Sequence, residues 1–282
     1  ASFHPNGAAS VADLSENKSA FVMSVFLMAG SIGLAGAPFI ITSFVSSFGI
    51  NKLWFLSLPG IILAIILIKT LPAISSIENK VKISDLKILF TRESRPLWIL
   101  FLIMFLRSIV ITGFMSFMSI LFAERGLSIQ KGGIAISIFL ISGTVGGLMG
   151  GYLSDNINRK IIIAISSILA CPLLIWFLHE RGVYSMVLLS LSGMVIFAAA
   201  PVNVLIVQRF YPGMASAVSG IAMGLVWGAA GLMLPLIGSL ADRYSMGISL
   251  EIVAYLAPIA GLLVFLLPNF NNQVIGSIGN RE

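Results

Sequence analysis

Eight stretches of this chain are apolar for long enough to cross a bilayer, and that removes most alternatives at once. A spanning helix needs roughly 20 mainly apolar residues. The runs 19–47, 53–69, 97–122, 132–153, 161–178, 184–207, 215–240 and 248–267 come close to or exceed that length. Short polar breaks bound them, such as Asn51-Lys52, Glu124-Arg125-Gly126, His179-Glu180-Arg181-Gly182 and Asp242-Arg243-Tyr244. Only 10% of the 282 residues are charged and 58% are hydrophobic, where a soluble domain carries about 25% charge. Lipid offers no hydrogen bonds to an exposed backbone, so the spans must be helices. The reading is an all-α, multi-pass membrane protein with the lipid bilayer as a partner.

The net charge of +6 speaks to loop topology rather than to nucleic acid, since no motif interleaves aromatic and basic residues. Counted by alternate loops, one side holds eleven basic residues: Lys18, Lys69, Lys80, Lys82, Lys87, Arg92, Arg95, Arg159, Lys160, Arg209 and Arg281. The other holds five: Lys52, Arg125, Lys131, Arg181 and Arg243. The richer side is expected in the cytoplasm. Cys171 is the one cysteine and lies inside an apolar run, so no disulfide framework, metal cluster or cofactor is expected.

Shifting the chain by 197 residues brings Ser19-Ala20 onto Ser216-Ala217, Pro38 onto Pro235 and Asn6 onto Asn203. The hydropathy pattern shifts with them, which is the mark of two homologous bundles. The longest polar break, about 70–95, reads as the linker between them. Six runs follow that linker and two precede it, and residues 1–13 are too short to span. The expectation is therefore a fragment lacking about three and a half N-terminal helices. It divides into a remnant of the first bundle (1–69), a cytoplasmic linker (70–95), a six-helix second bundle (96–268) and a cytoplasmic tail (269–282).

The loop "GYLSDNINRK" (151–160) interrupts two apolar runs to place Asp155, Arg159 and Lys160 together. Its pattern Gly151-x-Leu153-Ser154-Asp155-x-x-x-Arg159-Lys160 resembles the signature loop of the major facilitator superfamily, between the second and third helices of a six-helix half. Two departures are Asn158, where a glycine is usual, and Asn156, where a basic residue is usual. The stretches 3–40, 124–160 and 211–245 further resemble the fosmidomycin-resistance branch, with Arg209 standing where an acidic residue is expected. The resemblance implies two pseudo-symmetric six-helix bundles, alternating access and a monomeric carrier. It also implies a gate formed by Gly151, Asp155, Arg159 and Lys160, with Asp155 facing the start of run 19–47 near Lys18.

Small residues let helices approach closely in lipid. Gly30, Gly33 and Gly36, with Gly228, Gly231 and their neighbour Gly224, are spaced about one turn apart and are expected to pack helices. Pro38 and Pro235 are expected to kink theirs. Polar groups at depth are few. Arg107 lies ten residues into its run, about 15 Å deep, and an ionisable residue there is a functional candidate. Its planar fork of donors suits an anion. His4 reaches a similar depth in the first bundle and titrates near neutral pH. Asn203 completes the substrate-binding candidates. No Asp or Glu lies mid-run in the sequence, so the proton-coupling group is expected in His4 or in helices outside this chain.

The expected function is a secondary active transporter of a bacterial or archaeal inner membrane. The branch resemblance implies proton-coupled efflux of a small anionic or zwitterionic drug or metabolite. The alternative is an uptake symporter for an organic anion or sugar. An enzyme would need His, Asp or Glu converging at one depth, which these runs do not offer. A channel would lack the two-bundle repeat and the hinge loop.

Overall fold

The computed structural model describes residues 19–70, 94–210 and 215–268. Every element among them is helical: α1 (Ser19–Phe48), a 3₁₀ segment (Ile50–Leu56), α2 (Ser57–Thr70), α3 (Arg95–Glu124), α4 (Ile129–Asn156), α5 (Arg159–His179), α6 (Val183–Phe197), α7 (Ala200–Phe210), α8 (Ala215–Leu232), α9 (Leu234–Arg243), α10 (Met246–Ala254), α11 (Leu256–Leu263) and a closing 3₁₀ turn (Val264–Leu266). They make eight membrane-length spans among the described residues, two before residues 71–93 and six after. Thr70 still belongs to α2 and Arg95 already opens α3. The rest of the 70–95 linker, apart from Ser94, and the tail from 269 lie outside the described residues.

The last three spans are each built from two helices, α6–α7, α8–α9 and α10–α11. Each second helix carries a proline within its first three residues: Pro201, Pro235 and Pro258. Proline has no N–H and its ring crowds the carbonyl four residues back, so it interrupts a helix but suits the first turn of a new one. Pro235 follows the break at Met233. Its repeat mate Pro38 does not break α1, which runs helical through it.

The α3–α4 turn shows how such connections close. Gly126 adopts φ 72°, a conformation that favours glycine. Its N–H donates to the Ala123 carbonyl at 2.9 Å and that of Leu127 to Phe122 at 2.9 Å, the two bonds that terminate a helix in this way. Ser128 then caps α4 by accepting from the Lys131 N–H.

The core lies in the six later spans. Phe114, Phe122, Phe139 and Phe177 are fully buried there, with Phe114 6.4 Å from both Phe139 and Phe177, ring centre to ring centre. α1 packs along α4 and joins the two early spans to the later ones. Gly133 of α4 makes this contact, since a Cβ there would collide with Thr42 and come within 3.0 Å of the Pro38 carbonyl.

The expected glycine rows do not make the close contacts among the described residues. A Cβ on Gly30, Gly33, Gly224, Gly228 or Gly231 would meet nothing within 4 Å, and one on Gly36 only Ile40 of its own helix. Their faces do not abut a described helix. The close contacts belong to α4 instead. A Cβ on Gly146 or Gly150 would run into the carbonyls of Met194 and Ala198, and one on Gly143 into the Phe197 ring. Spacing alone marks both rows equally; which one meets a neighbouring backbone depends on the rotation of each helix.

Candidate functional site

The signature loop is a tight connection between α4 and α5. Ile157 is extended and its N–H donates to the Leu153 carbonyl at 2.8 Å. Asn158 is the N-cap of α5, its side-chain oxygen accepting from the Lys160 N–H at 3.0 Å. A helix start leaves N–H groups without partners, and Asn is among the best residues to satisfy one. The departure at Asn158 thus has a structural use. Arg159, in the first turn of α5, is 9% exposed. Lys160 donates through Nζ to the Leu267 carbonyl at 2.6 Å, just past the end of the last span. Gly151 lies where a Cβ would sit 3.7 Å from Pro201. The loop therefore joins α4, α5, α7 and the close of the last span. Asp155 belongs to the last turn of α4; its side chain, like Lys18, lies outside what the structure describes.

Arg107 occupies a different environment from the one expected. It is 3% exposed inside the second bundle. One terminal nitrogen donates to the hydroxyls of Ser166, at 3.2 Å, and Ser167, both on α5. The other donates to the Ile196 carbonyl near the end of α6. Both serines pass their own protons to the Ile163 carbonyl, at 3.2 Å and 2.7 Å, which leaves their lone pairs facing the guanidinium. Three of the donors of its fork are thus taken by neutral acceptors of its own bundle. The sequence signal for this was the Ser166-Ser167 pair two spans on, which depth counting on α3 does not register.

Asn203 is 4% exposed, and its side-chain oxygen has no hydrogen-bond partner. Buried acceptors of that kind are uncommon, so Asn203 stays a candidate contact. Its repeat mate Asn6, and His4, lie outside the described residues. Arg209 falls in α7, and its side chain is not described.

On the opposite face, sequence reasoning saw only polar breaks where the structure makes a latch. Both Glu124 carboxylate oxygens accept from the Met246 N–H, at 3.3 Å and 3.2 Å, at the start of α10. Arg125 donates to the Leu178 carbonyl and lies over the Phe177 ring, 5.6 Å from its centre. Burial, with the charge of Arg181 added, lowers the Arg125 pKa from its ordinary value. His179, which follows Leu178 in the chain, and Glu251 approach to 3.3 Å. The end of α3 thus ties α5 and α10 together.

Comparison with known proteins adds the family. A profile described as Major Facilitator Superfamily matches residues 1–235. The chain is 24% identical over 275 residues to the fosmidomycin resistance protein of Escherichia coli (strain K12), covering 95% of this chain and 67% of that protein. It is 31% identical over 143 residues to the uncharacterized MFS-type transporter YfnC of Bacillus subtilis (strain 168), covering 51% of this chain and 35% of that protein. The chain thus spans about a third of one curated relative and two thirds of the other.

Proposed function

Since this chain belongs to the major facilitator superfamily and is a multi-pass integral membrane protein, we propose that it is part of a secondary active transporter of a bacterial inner membrane. It works by alternating access and exports a small anionic or zwitterionic drug or metabolite in exchange for protons. The family match over most of the chain carries this reading. The relative named for fosmidomycin resistance supports export of a drug. Arg107 supports the anionic preference: its named partners are all neutral, so its positive charge persists at depth and favours a negative group nearby. The substrate contacts are Asn203 and His4, with Arg107 acting through its field. Asp155, Arg159 and Lys160, with Gly151, gate the cytoplasmic side.

The test uses the full-length protein and fosmidomycin as probe. Expression is expected to raise resistance of sensitive cells, and inverted vesicles are expected to accumulate fosmidomycin when their lumen is acidified. Proton-driven accumulation of an organic anion or sugar in right-side-out vesicles, with no fosmidomycin movement, would replace this reading by uptake.

A further inference from the structure

The sixth of the eight spans is interrupted where three independent features meet. α6 ends at Phe197 and α7 begins at Ala200, with Pro201 in its first turn. Backbone bonding resumes across the gap with the Asn203 N–H on the Ala199 carbonyl at 2.9 Å. Pro201 supplies no N–H to the Phe197 carbonyl four residues back, and carbonyls of a helix's last turn lack intrahelical partners in any case, so the carbonyl end of α6, Ile196 included, needs donors from elsewhere. Arg107 of α3 provides one, to Ile196, and is itself fixed on the other side by Ser166 and Ser167.

The second feature is the surface on which the break rests. Gly146 and Gly150 of α4 lie against the Met194 and Ala198 backbone, with no room for a Cβ, and Gly147 and Gly151 lie against Pro201. Glycines there remove the side-chain knobs that would lock α7 at one angle. The third feature is on α7 itself, where the buried Asn203 side-chain oxygen is without a partner. A buried acceptor without a partner is a cost that a shift of its helix can relieve.

We propose that Arg107 is a positioning residue: its guanidinium pins the carbonyl end of α6 across the Pro201 break, so that residues 198–199 form the hinge on which α7 turns against the glycine face of α4. The turning of α7 during transport rests on the function proposed above; the pinning of α6 by Arg107 does not. The charge of Arg107 is also better suited to this task than a neutral donor, because a charged hydrogen bond is roughly twice as strong as a neutral one.

Hydrogen exchange of the purified full-length protein tests the pin without any substrate. In Arg107→Gln, amides of segment 194–205 are expected to exchange about tenfold faster, the loss of one charged hydrogen bond, while the α3–α4 turn is unchanged. Adding Pro201→Ala offers a backbone donor to Phe197, next to the carbonyl that Arg107 holds, and so closes the break; the double variant should then exchange within about twofold of Pro201→Ala alone, the non-additivity of neighbouring groups at one helix end. Unchanged exchange at 194–205, or an equal acceleration everywhere, overturns the proposal. Where Arg107→Gln fails to fold, Pro201→Ala alone decides: slower exchange at 198–203 supports the hinge and no change overturns it. In transport, Arg107→Gln should lower turnover, whatever the loss of its field does to half-saturation. A raised half-saturation at unchanged turnover would put Arg107 on the substrate instead, and the positioning role would be lost.

Discussion

Lys160 Nζ lies 2.6 Å from the Leu267 carbonyl, so the first turn of α5 is bound to the close of the last span across more than a hundred residues of sequence. The contact uses a helix-start cation to satisfy a carbonyl just beyond a helix end, a place where carbonyls lack intrahelical partners. It makes Lys160 part of the second bundle's own structure as well as of the signature loop.

Lys160→Met keeps the apolar stem and removes the donor. Stability of the full-length protein is expected to fall by about 1–2 kcal/mol, the net worth of a charged hydrogen bond in a half-buried setting, and Lys160→Arg should recover most of it. Thermal unfolding in detergent reads both. An unchanged midpoint for Lys160→Met would show that the bond carries no stability.

Asn158 gives a prediction about the departure from the family loop. Asn158→Ala removes the cap of α5 and should cost about 1 kcal/mol, while Asn158→Gly should cost only a few tenths. The order of the two is the test. If alanine were the better tolerated, the cap would not be what Asn158 contributes.

Gly150 and Gly228 look alike in sequence and are expected to behave oppositely. Gly150→Val drives a side chain into the Ala198 carbonyl and should abolish accumulation of folded protein, as overpacking of a tight contact does. Gly228→Ala meets no described residue within 4 Å and should be neutral or stabilise by up to about 1 kcal/mol through helix propensity. Size-exclusion profiles of the two variants distinguish them, and a folded Gly150→Val protein would contradict the α4–α6 contact.

Asp155→Asn tests the gate. Membrane insertion should be normal and transport strongly reduced, because the gate proposed for Asp155 depends on its carboxylate charge. Normal transport at normal expression would remove Asp155 from the gate.

The sequence of Arg107 and its surroundings shows where reading a chain linearly stops. Depth follows from counting residues along a run, because the rise per residue is fixed, and Arg107 is indeed deep in its span. Direction does not follow, because it depends on how α3 is rotated against α5 and α6. That rotation brings Ser166, Ser167 and the Ile196 carbonyl to the guanidinium.

The sequence by itself determined that the chain is helical, that it holds the eight membrane-length spans found among the described residues, and that it belongs with a particular family of carriers. Length and hydropathy are properties of consecutive residues, and lipid leaves the backbone no alternative to the helix. A loop motif is likewise a local pattern. Tertiary structure decided which glycines meet a backbone, that Pro235 and Pro201 open new helices while Pro38 lies within one, and what Asn158, Lys160 and Arg107 hold. Each of those depends on groups far away in sequence, Leu267 for Lys160 and Ile196 for Arg107. Only the packed arrangement of the helices brings them within hydrogen-bond distance.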